Sequence, residues 1–487
     1  MSAVGKVGGV RGYKLAPTVR CHRGRAVAAR LCRTCRPVSP TQNLMGLLAV
    51  FARIHIVILC VVVDYIGLGS IAPALPFHLN ATATRTLTAD GLATWVGAIN
   101  TAQYATVVAA CLFWGRVSDR HGAKPALAIT MAGDAIFFSL TAFAEHPVLL
   151  LVVRLGAGFF SPLVPALAYI FEQVPPQEFV TAMTVYSMAV LLGLSIGSAM
   201  VSLYVYIGWR GLTLPVGVLA LIAFVLALLV LRRRPPSPGG HKTEGVWRAV
   251  QSADFVTTAA TTLLIGYCFS QYLVLTAVMA FEVYQLSPAH TSAIFLGIPA
   301  VIFLNQSVGP RIMAKLGLQR TISVLLIVGA LASVCLALPP VHATIGGYLL
   351  AFFWVILPLS IAHSCNQARL GLIGRHYTQN GTGQLSSYTR LLFAAGQALS
   401  PICATTMYAY AGVWLPWAVQ ALLIALTLAA HPLLGVALFR EPEWRNEGGD
   451  VVKPVPAKPD MPVVGIDHGI DARAAAPAPA IEKSVDG

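Results

Sequence analysis

The chain has 487 residues, 56% of them hydrophobic and 11% charged, and its mean hydropathy is +0.72. A soluble surface needs about 25% charged residues, so the composition excludes a soluble enzyme, a disordered chain and a nucleic-acid-binding domain. It leaves an all-α polytopic membrane protein, because the long continuous apolar runs argue against a transmembrane barrel.

Residues 1–44 hold nine Lys or Arg and no Asp or Glu. They lack the apolar stretch of a secretory signal. The 1–45 segment therefore reads as a basic N-terminal extension: sequence upstream of a true start at Met45, an organellar transit peptide, or a plain basic tail, with the first favoured. Cys32 and Cys35 form a CxxC near Cys21 and His22, but no foldable pattern surrounds them and no metal site is expected. The other six cysteines, Cys60, Cys111, Cys268, Cys335, Cys365 and Cys403, lie in apolar runs and read as small packing residues.

Twelve apolar runs follow, near 49–77, 92–114, 125–145, 147–171, 180–207, 211–232, 255–281, 291–310, 321–339, 344–370, 384–410 and 413–438. Each is long enough to span ~30 Å of hydrocarbon. A polar Pro/Gly-containing linker at 233–253 separates a six-helix half at 46–232 from a second at 254–440. Residues 441–487 are rich in Pro, Ala and charge and read as a disordered cytoplasmic tail. With the N-terminus inside, the cytoplasmic segments before that tail carry twenty-two basic residues and the outside loops only Arg85 and Arg210. Both termini are therefore expected in the cytoplasm, and the most natural location is the plasma or inner membrane.

The first span contains Asp64, Gly67, Gly69, Pro73 and Pro76. A carboxylate inside a membrane helix is costly, so Asp64 should face the bundle interior or a wet cavity. Gly67 and Gly69 permit close helix approach, and the prolines free carbonyls and bend the helix. The loop after the second span reads Gly115-Arg-Val-Ser-Asp119-Arg120-His-Gly122-Ala-Lys124, with Gly122 placed for a tight reversal. Gly317 occupies the matching loop of the second half, a weak hint of an internal repeat. Asp134 lies mid-span in the third run. Arg154 lies in the fourth with Gly158 one turn on; it either pairs with polar groups inside or snorkels to an interface. Gly193 and Gly197 give the fifth span a small-residue packing face.

The loop order G-x-x-x-D-R-x-G-x-K resembles the signature of the major facilitator superfamily, and the resemblance covers roughly 46–440. D-x-x-G-x-G-x-x-x-P-x-L-P in the first span is similar to tetracycline-type drug:proton antiporters of that family. The resemblance implies twelve helices in two six-helix pseudo-repeats. It also implies a conformational latch at Gly115–Lys124, centred on Asp119, and proton coupling through Asp64, Asp134 and Arg154. The fifth span departs from the antiporter pattern G-P-x-x-G-G: Leu194 stands in place of the proline and Ser198 in place of the last glycine. That departure keeps a metabolite importer or facilitator as the alternative to drug efflux.

The second half is poor in intramembrane acid. Its candidate cavity polars are Gln271, His363 and Arg390, with Trp354 as a stacking surface; Asn100 and Gln103 are candidates from the second span. Arg390 is expected either to bind an anionic group or to approach Asp119. No phosphate-binding loop GxxxxGK[ST], HExxH or nucleophile elbow is present. The reading is therefore a secondary transporter, not an enzyme, without a cofactor, driven by a proton gradient and acting as a monomer on a small molecule within the lipid bilayer. A non-transporting solute sensor of the same fold is the remaining alternative.

Overall fold

In a computed structural model the chain is described for residues 40–83, 89–174, 178–232, 250–377, 382–434, 444–445 and 451–452. The N-terminal extension to residue 39 with its CxxC, most of the linker and most of the C-terminal tail lie outside the described residues. Leu44–Pro454 forms one compact unit.

Its helices are α1 (Pro40–Ala83), α2 (Ala89–His121), α3 (Ala123–Thr141), α4 (Pro147–Phe159), α5 (Leu163–Gln173), α6 (Phe179–Met200), α7 (Tyr204–Val230), α8 (Ala253–Glu282), α9 (Pro288–Leu316), α10 (Leu318–Ala337), the one-turn α11 (Pro339–His342), α12 (Ile345–Tyr377), α13 (Thr382–Ala411) and α14 (Trp414–Leu433). Within the expected disordered tail, Trp444–Arg445 pairs antiparallel with Val451–Val452.

Among the described residues nine helices are long and apolar enough to cross a membrane, fewer than the twelve expected. The difference has local causes. The fifth and sixth runs form one stretch, Ala182–Val230, because a 3-10 turn at Val201–Leu203 joins α6 to α7 without a break. That stretch turns at Gly208, whose φ of 63° favours glycine. In α9 the apolar stretch Pro288–Phe303 is shorter than a span, and the side chains of the next four residues lie outside the described set. α13 opens with Gln384, Ser386, Ser387, Thr389 and Arg390 and is not among the nine. The fourth run still counts as one span, Pro147–Ile170, although its helix breaks into α4 and α5 around Ser161 and Pro162.

Local signals explain the helix starts. Pro147 and Pro288 sit at the first positions of α4 and α9, where a missing N–H costs nothing. Ser252 caps α8 by accepting from the Phe255 N–H at 3.2 Å. α1 runs through Pro73 and Pro76 without interruption. The two short reversals expected to match share a backbone conformation: Gly122 has φ 90° and ψ 156°, and Gly317 has φ 84° and ψ 165°. Both sit at the start of the next helix, so one left-handed residue turns each chain within a single step.

The glycines of α1 and α6 form an interlocked contact. Gly69 faces the backbone of Leu194, Gly193 faces the Val62 carbonyl and Tyr65, and Gly197 faces Ile66 and Ser70. Any Cβ there would collide with main chain, so these positions hold α6 directly on α1. Gly67 instead makes room for the Phe138 ring of α3.

One apolar core gathers residues from Val50 to Leu231 and takes in Val274 and Val278 of α8; a second runs from Leu264 to Ile424 and takes in Leu191 of α6. The seam between them is crossed at several heights. Gly97 of α2 abuts Pro401 and Thr405 of α13. Beside it the Ile402 N–H donates to Thr101 Oγ1 at 3.1 Å. Toward the membrane face opposite the Gly115–Lys124 loop, Ser292 of α9 donates to the Ser198 carbonyl at 2.6 Å. There also Phe77 meets Phe281 edge-on with centroids 5.1 Å apart. His78 stacks on Trp209 at 4.0 Å, tying α1 to α7 at the same level.

Candidate functional site

The polar centre of the molecule is built on α1, α3 and α4. Asp64 is 8% exposed, Asp134 0% and Arg154 1%. The two carboxyl groups lie close enough to influence one another, with Arg154, Arg390 and the Ser161 hydroxyl in electrostatic range of Asp64. Neither oxygen of Asp134 has a well-formed hydrogen bond among the described residues. Arg154 does not snorkel. It donates through Nη2 to Oε1 of buried Gln103 on α2, while its Nε and Nη1 find no partner among the described residues.

Gly158 explains how Arg154 gets there. It lies one turn along the same face of α4 and rests against the Gln103 carbonyl and the Thr106 hydroxyl. A side chain at 158 would push α4 away from α2 and lift the guanidinium off Gln103. The R-x-x-x-G spacing is therefore a packing device that delivers a charge.

From the other side of the seam comes Arg390 of α13. Its Nη2 donates to Tyr65 Oη at 2.9 Å, next in sequence to Asp64. Its Cζ lies 5.3 Å from the Phe393 ring centroid. It thus reaches the first helix at Tyr65; the expected approach to Asp119 falls on a side chain that lies outside the described residues. His363 of α12 packs against Phe393 at 5.0 Å, and its Nδ1 has no partner among the described residues.

The remaining sequence candidates divide. Gln103 and Arg390 belong to the centre. Asn100 donates back to its own helix, to the Val96 carbonyl at 2.8 Å. Gln271 is fully buried and donates to the Pro416 carbonyl at 3.1 Å, a bond between α8 and α14. Trp354 is 54% exposed on a stripe with Leu350 and Leu357, on the far side of α12 from buried Phe352 and Val355, and stands apart from the centre.

In the Gly115–Lys124 segment, Gly115 borders open space and Arg120 is exposed. The carboxylate seen to meet the loop is Glu172 at the end of α5, which accepts from the Ala123 N–H at 3.1 Å and places negative charge at the N-terminus of α3. Sequence reasoning passed over Glu172. It also passed over the Arg369–Asp254 pair at 2.8 Å between α12 and α8, where Arg369 is 1% exposed.

Residues 57–401 match the family model of the Major Facilitator Superfamily. The chain is 25% identical over 395 residues to the tetracycline resistance protein, class H, of Pasteurella multocida, covering 77% of this chain and 94% of that protein. It is 29% identical over 167 residues to the multidrug resistance protein MdtG of Proteus mirabilis (strain HI4320), covering 33% of this chain and 40% of that one. Among solved structures it resembles a bacterial homologue of the human lysosomal transporter Spinster in an inward-facing, unoccupied conformation. That likeness has a TM-score of 0.61 at 15% identity, over 81% of this chain and 97% of the other.

Proposed function

The chain belongs to the Major Facilitator Superfamily, and on that premise we propose that it is a secondary transporter exporting small amphipathic molecules in exchange for protons. The observation that carries this reading is the buried centre of Asp64, Asp134 and Arg154. The drug-efflux relatives, a tetracycline resistance protein and a multidrug resistance protein, support it from the side of sequence.

A proton on either of two neighbouring carboxyl groups away from water removes a costly charge and their mutual repulsion. Arg154 supplies a fixed positive charge, since a guanidinium does not readily lose its proton. Gaining or losing one proton then changes the charge balance at the place where α1, α3 and α4 meet. Each charge state favours a different arrangement of the two halves, and substrate bound between them is released on alternate sides. Twelve spans in two six-helix repeats, cytoplasmic termini and a monomeric carrier in the plasma or inner membrane complete the proposal. The shared dihedrals of Gly122 and Gly317 support the repeat locally.

The test is uptake of a fluorescent amphiphile into proteoliposomes with an imposed pH gradient, for wild type and Asp64→Asn. Gradient-driven accumulation by wild type, collapsed by a protonophore and absent in the variant, is the expected result. Accumulation by Asp64→Asn equal to wild type removes Asp64 as the coupling acid. A second reading, uptake or facilitated movement of a metabolite, is favoured by Leu194 and Ser198. The proline bend of the antiporter pattern is absent there, and Ser198 is tied across the seam to Ser292.

A further inference from the structure

Arg390 is the one strongly basic side chain that the second half brings to the centre among the described residues. It is partly buried, and its described hydrogen bond goes to a neutral phenol. The ion pairs among the described residues join Arg53 to Glu178, Arg210 to Glu145 and Arg369 to Asp254, and Arg390 is in none of them. Its Nε lacks a partner among the described residues. Around it stand other polar atoms without partners among the described residues: the Tyr186 hydroxyl, on a side chain 7% exposed, and His363 Nδ1. Tyr186, Tyr65 and Cys111 lie within electrostatic range of the guanidinium.

Facing this cation from the first half is Asp64, within electrostatic range of it but not closed on it as an ion pair. An acid on one wall and a base on the other, opposed across a seam without neutralising each other, are complementary to a ligand carrying both signs. We propose that the transported molecule is a zwitterionic amphiphile, with its cationic group at Asp64 and its anionic group at Arg390 between Tyr65 and Tyr186. This rests on the proton-exchange reading above and sharpens it. The cationic group competes with the proton for Asp64, which makes exchange obligatory. The anionic group is gripped only where the C-terminal half has closed on the N-terminal half, which makes occupancy report on conformation. Asp134, Arg154, Tyr104 and His363 also face this place and set its background field.

The test uses one dansyl-amphiphile scaffold in three forms: an amine, an amino acid and the methyl ester of that amino acid. Binding to purified wild-type protein is read by fluorescence, and transport in proteoliposomes by gradient-driven accumulation. The amino acid should bind about tenfold or more tighter than its ester, the scale of one charge-assisted contact. Arg390→Gln should weaken amino-acid binding about tenfold relative to the ester and so erase that preference, and Arg390→Lys should restore part of it. A wild-type protein that binds the ester as well as the acid, or that binds none of the three, overturns the proposal. So does an Arg390→Gln protein that weakens all three probes equally, since that marks a purely structural arginine. The two readings fail separately. Charge-selective binding with no proton-driven accumulation defeats proton exchange and keeps the subsite; proton-driven accumulation blind to the acid group does the reverse.

Discussion

Between Asp64 and Arg154 the first half buries two carboxyl groups and a guanidinium inside its helices, whereas from Phe255 to Leu434 the second half has a single carboxylate, Glu282 at the end of α8. The first half concentrates titratable charge near the middle of its bundle. The second fills the equivalent depth with aromatic packing, where Tyr272, Tyr348, Phe352 and Trp417 meet ring to ring. It keeps its ion pair, Arg369 with Asp254, at the start of α8. Buried titratable charge and aromatic packing are thus divided between halves of similar length, and Arg390 is where the second half reaches the charged centre of the first.

That division can be broken at several places. The largest effect is expected from Asp64→Asn, which should lower gradient-driven transport about a hundredfold or more, the scale for removing an essential proton-transfer group. Asp134→Asn should cost less, because Asp64 remains. An equal loss in both would mean that the pair acts as one titrating unit. Next comes the packing that supports the acids. Gly197→Leu drives a side chain into the backbone of α1 and should destabilise the protein by about 3 kcal/mol or prevent folding. Gly115→Ala, in open space, should leave the melting temperature unchanged or raise it slightly.

Arg154→Gln tests whether the centre is held by charge balance. It should destabilise by about 3 kcal/mol when the carboxyl groups are ionised and by clearly less in acid, where their protonation removes the need for a countercharge. Thermal melts across pH would read the difference, and a pH-independent loss would reduce Arg154 to a packing residue. A small loss belongs to Glu172→Gln, which should remove about 0.5 kcal/mol by taking negative charge from the start of α3. Hydrogen exchange at Ala123 and its neighbours would report it.

Much of this centre was legible in the sequence because charge in an apolar run is conspicuous. Asp64, Asp134 and Arg154 each interrupt a long hydrophobic stretch, and cost alone implies that they turn inward. The glycines of α1 and α6 were legible as packing residues for a similar reason. Their partners were not, since small residues announce that something approaches but not what. The depth of Arg154 was ambiguous because its distance from the helix end allowed either burial or snorkelling. Gly158 resolves it through a contact with Gln103 that no spacing reveals. Trp354 lies on an exposed stripe, and an indole suits such a stripe as well as a binding face. Glu172 and the Arg369–Asp254 pair went unnoticed because charged residues at helix ends look like ordinary surface. The boundary between the fifth and sixth spans is less sharp, since one helical path runs through Val201–Leu203 and turns only at Gly208.

The contact at Gly97 has a mechanical consequence. There α2 and α13 touch through the Pro401 carbonyl and the Thr405 side chain, with almost nothing projecting from α2. If the halves turn about this seam as proposed, helices meeting at a glycine would roll over one another like a smooth bearing once the Ile402–Thr101 hydrogen bond lets go. A bulky side chain at position 97 would turn that bearing into a toothed gear. Each increment of rotation would then need a neighbouring side chain to move aside, and the time taken to reorient would be set at the fulcrum rather than at the acids.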